Sequence, residues 1–521
     1  MTEKPNFLYF ITDQHRSDYL GCAGHPILKT PNIDSIAEQG TRFERFFVAS
    51  PVCMPNRASL LTGRFPSVNG LRYNGNHLTY RANTFVDVLA NGGYRTAHIG
   101  KSHVQPMTNF PPYERVDPAA LGLIEEAWKD DDDVYDQELP SQYSGEGRFE
   151  IRKPYYGYQH VDMVTKHGDM CGGHYEQWFR ELAPNWKELQ DRKNELAHNY
   201  SCPQAYRTPI PEELYSTSFI RDKAKAYLSE QAKSDDPFFA FVSFPDPHHP
   251  FNPPGKYWDM YNPADFEMDI PYTRHQNPPP PMRHAHQQLL DETRDLNSME
   301  GFMVHEQEIR EAKALTCGMI TMIDDAVGEI LEVLRDTGKL DNTVLIFNSD
   351  HGDYLGDFNM LLKGALQMNS ITQVPFVWSD PGNRDPLVQP KLASTIDIGP
   401  TILERAGLKP YWGIQGQSQL SAIRGEKEAR DSVMIEFHDS GARMGFDQPA
   451  FVRTLVTQDW RLTLYKDQDW GELYNLENDP IESQNLWDDA KHHGTKARLI
   501  EQLLQHMMSA VDQSPRSLKR A

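Results

Sequence analysis

The sequence predicts an α/β fold, in which a large, mixed and mostly parallel sheet is sandwiched by helices and followed by a smaller C-terminal antiparallel sheet. Short continuous apolar runs alternate with stretches of helical periodicity over most of the chain, which is typical of buried parallel strands connected by helices. Polar residues follow several of these runs, and ligands bind at the carboxyl edge of open α/β sheets. Toward its end the chain changes to short runs that are typical of antiparallel hairpins.

Predicted strands and helices alternate over residues 1–409, where we expect one large unit. The predicted strands are residues 6–12, 42–50, 94–99, 237–244, 343–348 and 373–378. The predicted helices are residues 31–38, 58–63, 85–90, 212–231 and about 304–337. Strands separated by helices in this way favour a mostly parallel sheet with helices on both faces.

Residues 410–521 are predicted to form a smaller second unit. Its expected hairpin strands and its final helix are residues 455–457, 461–465, 472–474 and 496–511. Within the larger unit, residues 128–150 hold four consecutive aspartates and residues 268–290 are rich in proline, so both stretches have the composition of insertions. Two interpretations stay open for them: surface loops, or segments that cover a pocket or contact a neighbouring subunit.

Composition restricts the class of protein. The chain has 521 residues, which is long enough for a large core and two packed units. Asp and Glu outnumber Lys and Arg by 74 to 52, giving a net charge of −22, and this argues against nucleic acid as a partner. No apolar stretch reaches the roughly 18–20 residues of a membrane span. With no basic leader and only five cysteines, we expect a cytoplasmic protein without a disulfide framework.

The most informative motif surrounds a single cysteine. Cys53, Pro55 and Arg57 form the pattern C-x-P-x-R, which continues as Ala-Ser-Leu-Leu-Thr-Gly-Arg. Because proline suits the first turn of a helix, Cys53 is predicted at a helix N-terminus, where backbone N–H groups favour an anion. The alternative is a buried cysteine with no chemical role, since free cysteine is among the most buried residue types.

Two polar pairs that follow predicted strands are candidate metal ligands. They are Asp13-Gln14, after the first strand, and Asp350-His351, after a late one. Carboxylate and amide oxygens suit a hard divalent cation, while an imidazole shifts the preference toward a transition metal such as manganese. Taken one at a time, each pair is equally well explained as a turn.

Together these motifs resemble the sulfatase family, in which the motif cysteine is oxidised to formylglycine. The resemblance covers residues 6 to about 487 and implies a divalent metal held by Asp13, Gln14, residue 53, Asp350 and His351. It also implies a maturation enzyme that acts on Cys53 as a partner. Most sulfatases have a second aspartate where this chain has Gln14. That variant, with His351, is similar to phosphonate monoester hydrolases and choline sulfatases, and it leaves calcium or manganese open.

Further motifs extend the resemblance to the substrate side of the site. Gly100-Lys101-Ser102-His103 is similar to the family element G-K-x-H, and His248 lies in an element similar to P-H-x-P. The resemblance implies sulfate binding by Lys101, a basic role in release for His103, and contact of His248 with the ester bridge oxygen. Because His249 is adjacent, this last assignment could be off by one. Without the family context, the lysine and histidines would be ordinary strand-end residues.

The remaining assignments also come from the resemblance. Lys363 is similar to a later lysine that contacts sulfate and leaving group, Arg57 orients the formylglycine, and Asn74 lines the pocket. Their competing explanations are a solvated lysine for Lys363 and a turn for Asn74.

The implied reaction is hydrolysis of a small anionic ester. The first hypothesis is a sulfuric ester hydrolase acting on aryl or other small organic sulfates, and the second is a phosphonate monoester or phosphodiester hydrolase with the same site. Gln14 and His351 favour the second, whereas the Gly-Lys-Ser-His element favours the first. A choline sulfatase and a non-catalytic binding protein with an unmodified thiol are the narrower alternatives. By analogy with large relatives, we expect a homo-oligomer.

Overall fold

The computed structural model describes residues 4–112, 122, 127, 129, 133–426 and 430–520. Its strands are β1 (Asn6–Thr12), β2 (Thr41–Phe47), β3 (Arg95–Lys101), β4 (His160–Thr165), β5 (Gly172–Gly173), β6 (Phe238–Ser243), β7 (Phe302–Met303), β8 (Thr343–Ser349), β9 (Met360–Leu361), β10 (Phe376–Ser379), β11 (Leu387–Ser394), β12 (Ser432–His438), β13 (Phe451–Thr457), β14 (Trp460–Tyr465) and β15 (Gly471–Asn475).

The helices connect these strands and cover the sheet. They are α1 (Pro31–Ala37), α2 (Cys53–Thr62), α3 (Pro66–Asn69), α4 (Phe85–Asn91), α5 (His174–Leu182), α6 (Trp186–Gln190), α7 (Ser216–Gln231), α8 (Pro280–Leu290), α9 (Glu306–Asp336), α10 (Asn369–Thr372), α11 (Ile398–Arg405), α12 (Leu420–Ile423) and α13 (His493–Ser509). Among the described residues, no helix is both long enough and apolar enough to cross a lipid bilayer.

The large sheet has nine strands in the order β11-β2-β10-β8-β1-β6-β3-β4-β5. Five neighbouring strands in its middle, β8, β1, β6, β3 and β4, run parallel. Strand β10 is antiparallel to both of its neighbours, and β5 is antiparallel to β4. The predicted fold class, a mixed and mostly parallel sheet between helices, is therefore confirmed.

The central strand shows why the sheet has helices on both faces. All seven residues of β1 are buried, and the five apolar ones, residues 7–11, alternate between two hydrophobic clusters, because successive side chains of a strand point to opposite faces. Tyr9 belongs to the cluster that also contains side chains of α2, α4 and α11. Phe10 belongs to the cluster with side chains of α1, α7 and α9. A strand buried on both faces has no polar alternation, which explains its continuous apolar run.

Several predicted boundaries shift in the structure. Helix α2 begins at Cys53 rather than near residue 58, so the motif cysteine is its first helical residue. The helix predicted over residues 212–231 is interrupted, with a 3₁₀ turn (Glu212–Leu214) before α7. The stretch 268–290, for which a surface loop was one of two interpretations, contains helix α8, which packs Met282, Ala285 and Leu289 into a buried cluster.

The C-terminal part contains the expected antiparallel sheet, with the order β12-β13-β14-β15. The last three of these strands were predicted, whereas β12 was not, because the buried Glu436 interrupts its apolar run. Core residues of this sheet, including Leu455 and Leu462, share one hydrophobic cluster with Ala49 and Phe65 of the N-terminal part. A division of the chain at residue 410 stays a prediction.

Candidate active site

Five adjacent parallel strands deliver polar side chains to one edge of the sheet. Because the strands are parallel, the residues that follow their carboxyl ends converge, although they lie far apart in sequence. In sheet order from β8 to β4 these residues are Asp350 and His351, Asp13 and Gln14, His248 and His249, Lys101 and His103, and His167. Apart from His167, all of them were predicted site residues or, for His249, the named alternative.

Cys53 faces this edge from the N-terminus of α2. It is 1% exposed, and its Sγ lies 3.6 Å from Asp13 Oδ1 and 3.1 Å from His351 Nε2. Burial, reinforced by the charge of Asp13, raises the pKa of the Cys53 thiol to about 12. The unmodified side chain is therefore a protonated thiol at neutral pH and a weak nucleophile. The exposed Asn74 lies beside it and accepts a hydrogen bond from the Met54 N–H at 3.2 Å.

Arg57, one helical turn beyond Cys53, contacts residues at the ends of four strands. Its Nε donates to Asp350 Oδ2 at 2.7 Å, and its Nη1 donates to the Lys101 carbonyl at 2.7 Å and to Ser243 Oγ at 2.9 Å. Its Nη2 also lies 3.6 Å from Asp13 Oδ2. Although burial alone would raise the pKa of Asp13, Lys101 and Arg57 hold it well below the usual range. Asp13 is therefore a carboxylate.

The donor set around Cys53 fits a divalent metal. One ligand atom from each of Asp13, Cys53, Asp350 and His351 lies within 4.8 Å of the others, and all four residues are buried. His351 Nε2 is 3.4 Å from Asp13 Oδ1 and 3.7 Å from Asp350 Oδ1. His351 Nδ1 donates to the Gly352 carbonyl at 2.8 Å, which leaves Nε2 as an acceptor facing the carboxylates. Burial, with Lys363, lowers the pKa of His351 to about 4, so the imidazole is neutral and able to bind a metal.

Gln14 joins this cluster differently from the expectation. Its backbone N–H donates to Asp350 Oδ1 at 3.2 Å, but its side-chain oxygen accepts from Lys363 Nζ at 2.7 Å. Its amide nitrogen contacts Asp353 and His249. Gln14 adopts a φ of 62°, a left-handed conformation that is costly for a residue with a side chain and is typical of functional sites. Metal binding by its amide stays a prediction.

Two buried lysines add positive charge beside the carboxylates. Lys101 Nζ contacts Asp13 Oδ2 and lies 2.5 Å from His167 Nε2. Lys363 Nζ lies 2.7 Å from Gln14 Oε1 and 2.9 Å from His248 Nε2. Because an ammonium group has three N–H donors, each lysine keeps one for a further acceptor beyond these two partners in the described part of the chain.

The adjacent histidines are now distinguishable. His248 donates from Nδ1 to the carbonyl of His249 at 2.6 Å and faces Lys363 with Nε2, whereas His249 Nδ1 contacts the amide of Gln14. His248 is thus the one that lies beside the lysine, and its contact with the ester bridge oxygen stays a prediction. Burial and Lys363 lower the pKa of both imidazoles well below the ordinary value.

His103 is held near the site by its backbone. Its φ is 56°, and its N–H donates to Glu138 Oε2 at 2.8 Å. Glu138 also accepts the N–H groups of the next two residues at 3.0 Å, and it is fully buried. His103 Nδ1 has no hydrogen-bond partner among the described residues. Its role as a base stays a prediction.

Sequence reasoning missed several residues of this arrangement. His167 was detectable, since it follows a strand end as the other site residues do. No sequence motif pointed to Glu138, because it belongs to the stretch 128–150, which has the composition of an insertion. In the structure Glu138 accepts backbone N–H groups of the loop after β3. The aspartates 130–132 of that stretch lie outside the described residues.

Known proteins are similar to this chain over nearly their whole length. The chain is 29% identical over 490 residues to an arylsulfatase of Clostridium perfringens, covering 93% of this chain and 90% of the relative. It is 27% identical over 546 residues to the multifunctional alkaline phosphatase superfamily protein PehA of Trinickia caryophylli, covering 99% and 97% of the two chains. The crystal structure of the phosphonate monoester hydrolase of Agrobacterium radiobacter has the same fold, with a TM-score of 0.77, 23% identity and coverage of 98% and 97%.

Family models match both parts of the chain. A model of the C-terminal part of N-sulphoglucosamine sulphohydrolase matches residues 356–509. The sulfatase model matches residues 5–408, and this range contains all of the strand-end residues described above. The convergent buried cluster and this match over more than half of the chain lead to one conclusion: the protein belongs to the sulfatase family of sulfuric ester hydrolases.

Proposed function

We propose that the protein hydrolyses sulfate monoesters of small organic alcohols or phenols, with formylglycine formed from Cys53 and one divalent metal ion. One observation carries the proposal. Cys53 lies at a helix N-terminus within 3.6 Å of both Asp13 and His351, and Lys101 and Lys363 contact Asp13 and Gln14. Helix N–H groups and two ammonium groups around one side chain favour an anion there.

The charge of the site supports an anionic substrate. Arg57 and Lys101 are buried against the carboxylates of Asp13 and Asp350, whereas Lys363 contacts Gln14 and His248 and forms no ion pair with a carboxylate among the described residues. Buried charges are costly unless they are compensated, so the Lys363 ammonium group favours binding of a negatively charged group. The remaining N–H of each lysine is suited to oxygens of a tetrahedral ester, where negative charge develops in the transition state.

The proposed reaction needs two groups that the unmodified chain does not contain, a divalent ion and formylglycine. A divalent ion held by Asp13, Asp350, His351 and residue 53 would supply Lewis-acid stabilisation of negative oxygens. Formylglycine would supply a hydrated aldehyde, which has one hydroxyl to form a covalent bond and another to release it. Arg57 would orient this residue from the next turn of α2, because it anchors both the helix and the carboxylates.

Calcium and manganese remain the two candidates for the ion. The carboxylate oxygens suit either metal, whereas the neutral imidazole of His351 favours manganese.

A phosphonate monoester or phosphodiester hydrolase is the second candidate function. Gln14, in place of a second aspartate, together with His351, favours it. The same lysines and metal ligands would bind either ester, because they recognise charge and tetrahedral shape rather than the central atom.

Parallel rate measurements separate the two candidates. We would compare kcat/KM for 4-nitrophenyl sulfate with that for 4-nitrophenyl phenylphosphonate, using protein produced with a formylglycine-generating enzyme. A higher value for the sulfate supports the first proposal, and a higher value for the phosphonate supports the second. We expect Cys53→Ala to remove nearly all activity on both esters, and near wild-type rates for this variant would refute the proposed role of Cys53.

Mass spectrometry of the peptide that contains residue 53 provides an independent check. Conversion of a thiol to an aldehyde lowers the peptide mass by about 18 Da. Unmodified cysteine in protein from its native source would favour a non-catalytic binding protein instead.

A further inference from the structure

His167 has no role in the proposed reaction, although it lies in the middle of the site. Its side chain is 11% exposed, and its Nε2 is 2.5 Å from Lys101 Nζ and 3.9 Å from Asp13 Oδ2. Its ring stacks on that of His248, with centroids 3.6 Å apart and planes inclined by 13°. His167 therefore lies against three residues of the candidate site at once.

The stacked rings belong to two matching pairs. Lys101 lies against His167 Nε2 and one oxygen of Asp13, while Lys363 lies against His248 Nε2 and one oxygen of Gln14. Since an ammonium group can only donate, each Nε2 accepts from its lysine. His248 agrees with this assignment, because its Nδ1 donates to a backbone carbonyl. The result is two parallel Lys–His units that pack face to face.

This arrangement fixes the directions of both ammonium groups. With an imidazole and an oxygen as acceptors, each lysine has one N–H left, whose direction the two existing hydrogen bonds determine. Without His167, Asp13 would be the one acceptor left to the Lys101 side chain among these contacts, and the ammonium group would be free to rotate about that bond. His248 would also lose the ring that covers one of its faces.

We propose that His167 is a positioning residue that holds the Lys101 ammonium group by a hydrogen bond and the His248 ring by stacking. Held in this way, Lys101 and Lys363 both donate hydrogen bonds to one bound oxyanion. The inference rests on the proposed function and adds a residue to it. It also predicts that oxyanion binding depends on the acceptor nitrogen of His167, independently of the chemical steps.

Two substitutions separate the hydrogen bond from the stacking. His167→Gln keeps an acceptor for Lys101 and removes the stacked ring, whereas His167→Phe keeps a ring and removes the acceptor. Calorimetric titration of the metal-loaded protein with inorganic sulfate measures binding, and 4-nitrophenyl sulfate turnover gives kcat and KM. We expect His167→Phe to weaken sulfate binding roughly ten- to hundred-fold, because it removes a charge-assisted hydrogen bond. His167→Gln should retain most of the binding while kcat falls.

A histidine at the other end of the same strand is the matched control. His160 begins β4, is 43% exposed and pairs with Asp162, so His160→Gln should leave sulfate binding and turnover unchanged. Wild-type sulfate affinity in His167→Phe would overturn the inference. Equal losses in both His167 variants, together with lowered unfolding temperatures, would also overturn it, since they would indicate a purely structural role.

Failure of the proposed function gives a different result. Wild-type protein that binds sulfate but hydrolyses neither ester would contradict the proposed function, while the binding measurements would still test His167. A wild-type protein that is active and whose sulfate affinity does not depend on His167 would leave the function intact and reject the inference.

Discussion

At the residue scale, the candidate site is a set of buried charges that stabilise one another. Arg57 and Asp350 are at most 3% exposed and form a 2.7 Å ion pair, and Lys101 contacts Asp13. Each charge alone would be costly to bury, so the cluster is stable only when every member has its partners. A divalent ion would change the compensation of these buried charges most, because Asp13, Asp350 and His351 would all bind it.

Metal binding should therefore be visible in stability as well as in activity. We expect manganese or calcium to raise the unfolding temperature of the protein and EDTA to reverse the effect, with about 2.7 kcal/mol of stabilisation at a metal concentration one hundred times Kd. Asp350→Asn should lose most of this response, because it removes a charged ligand. Thermal unfolding with and without metal is the measurement. The exposed Asp385→Asn is the control, and an unchanged response in Asp350→Asn would contradict the assignment.

At the element scale, the helices differ in where their N-terminal hydrogen bonds come from. Helix α4 is capped locally, because Thr84 and Asp87 form a reciprocal capping box. Helix α1 depends on α9 instead: Asp324 accepts the N–H of Ile33 at 2.8 Å and that of Asn32 at 3.2 Å. The first cap is visible in the sequence, whereas the second exists only after two helices that are far apart in the chain pack together.

The cap on α1 leads to a pH-dependent prediction. Burial raises the pKa of Asp324 from 3.8 to about 6, so between these values the folded state binds more protons than the unfolded state. Stability therefore falls as pH rises through this window, because ∂ΔG/∂pH is negative when the folded state binds more protons. Urea unfolding measures the free energy of unfolding of wild type and of Asp324→Asn. We expect the amount by which the wild-type value exceeds that of the variant to decrease by about 1–3 kcal/mol from pH 4 to pH 7.

A free-energy difference between wild type and Asp324→Asn that does not change from pH 4 to pH 7 would be inconsistent with this account.

At the scale of the whole molecule, a buried charge network joins the C-terminal sheet to the segment that follows Lys363. Arg461 of β14 is fully buried and contacts Glu482 and, at 3.3 Å, Glu472. Glu482 in turn accepts the N–H of Asn369, the first residue of α10, at 2.8 Å. The small sheet therefore stabilises the segment that follows Lys363 as well as its own strands.

Removing the arginine should destabilise the molecule strongly. Arg461→Met would leave two buried carboxylates without their cation, and breaking such a pair costs about 3–5 kcal/mol. Urea unfolding measures the loss. The exposed Lys466→Met in the loop after β14 should stay within about 0.5 kcal/mol of wild type. Adding Glu472→Gln to Arg461→Met should recover part of the loss, and failure to do so would argue against the charge explanation.

The sequence alone determined the fold class and which polar residues follow the parallel strands. Continuous apolar runs specify strands buried on both faces, as in β1 and β8. The polar residues that directly follow these strands, such as Asp13 and Asp350, converge because parallel strands end at one edge of the sheet. The cysteine motif added the family, which the sulfatase model confirmed.

Only the tertiary structure decided which polar atoms meet. The pairing of Gln14 with Lys363, the stacking of His167 on His248 and the anchoring of His103 by Glu138 all join residues whose chain separation carries no pattern. Strand β12 escaped prediction for a related reason, since its buried Glu436 is satisfied by Ser67 from the N-terminal part. Local sequence encodes periodicity and turns, whereas the partners of buried polar groups are fixed only when distant segments pack and exclude water.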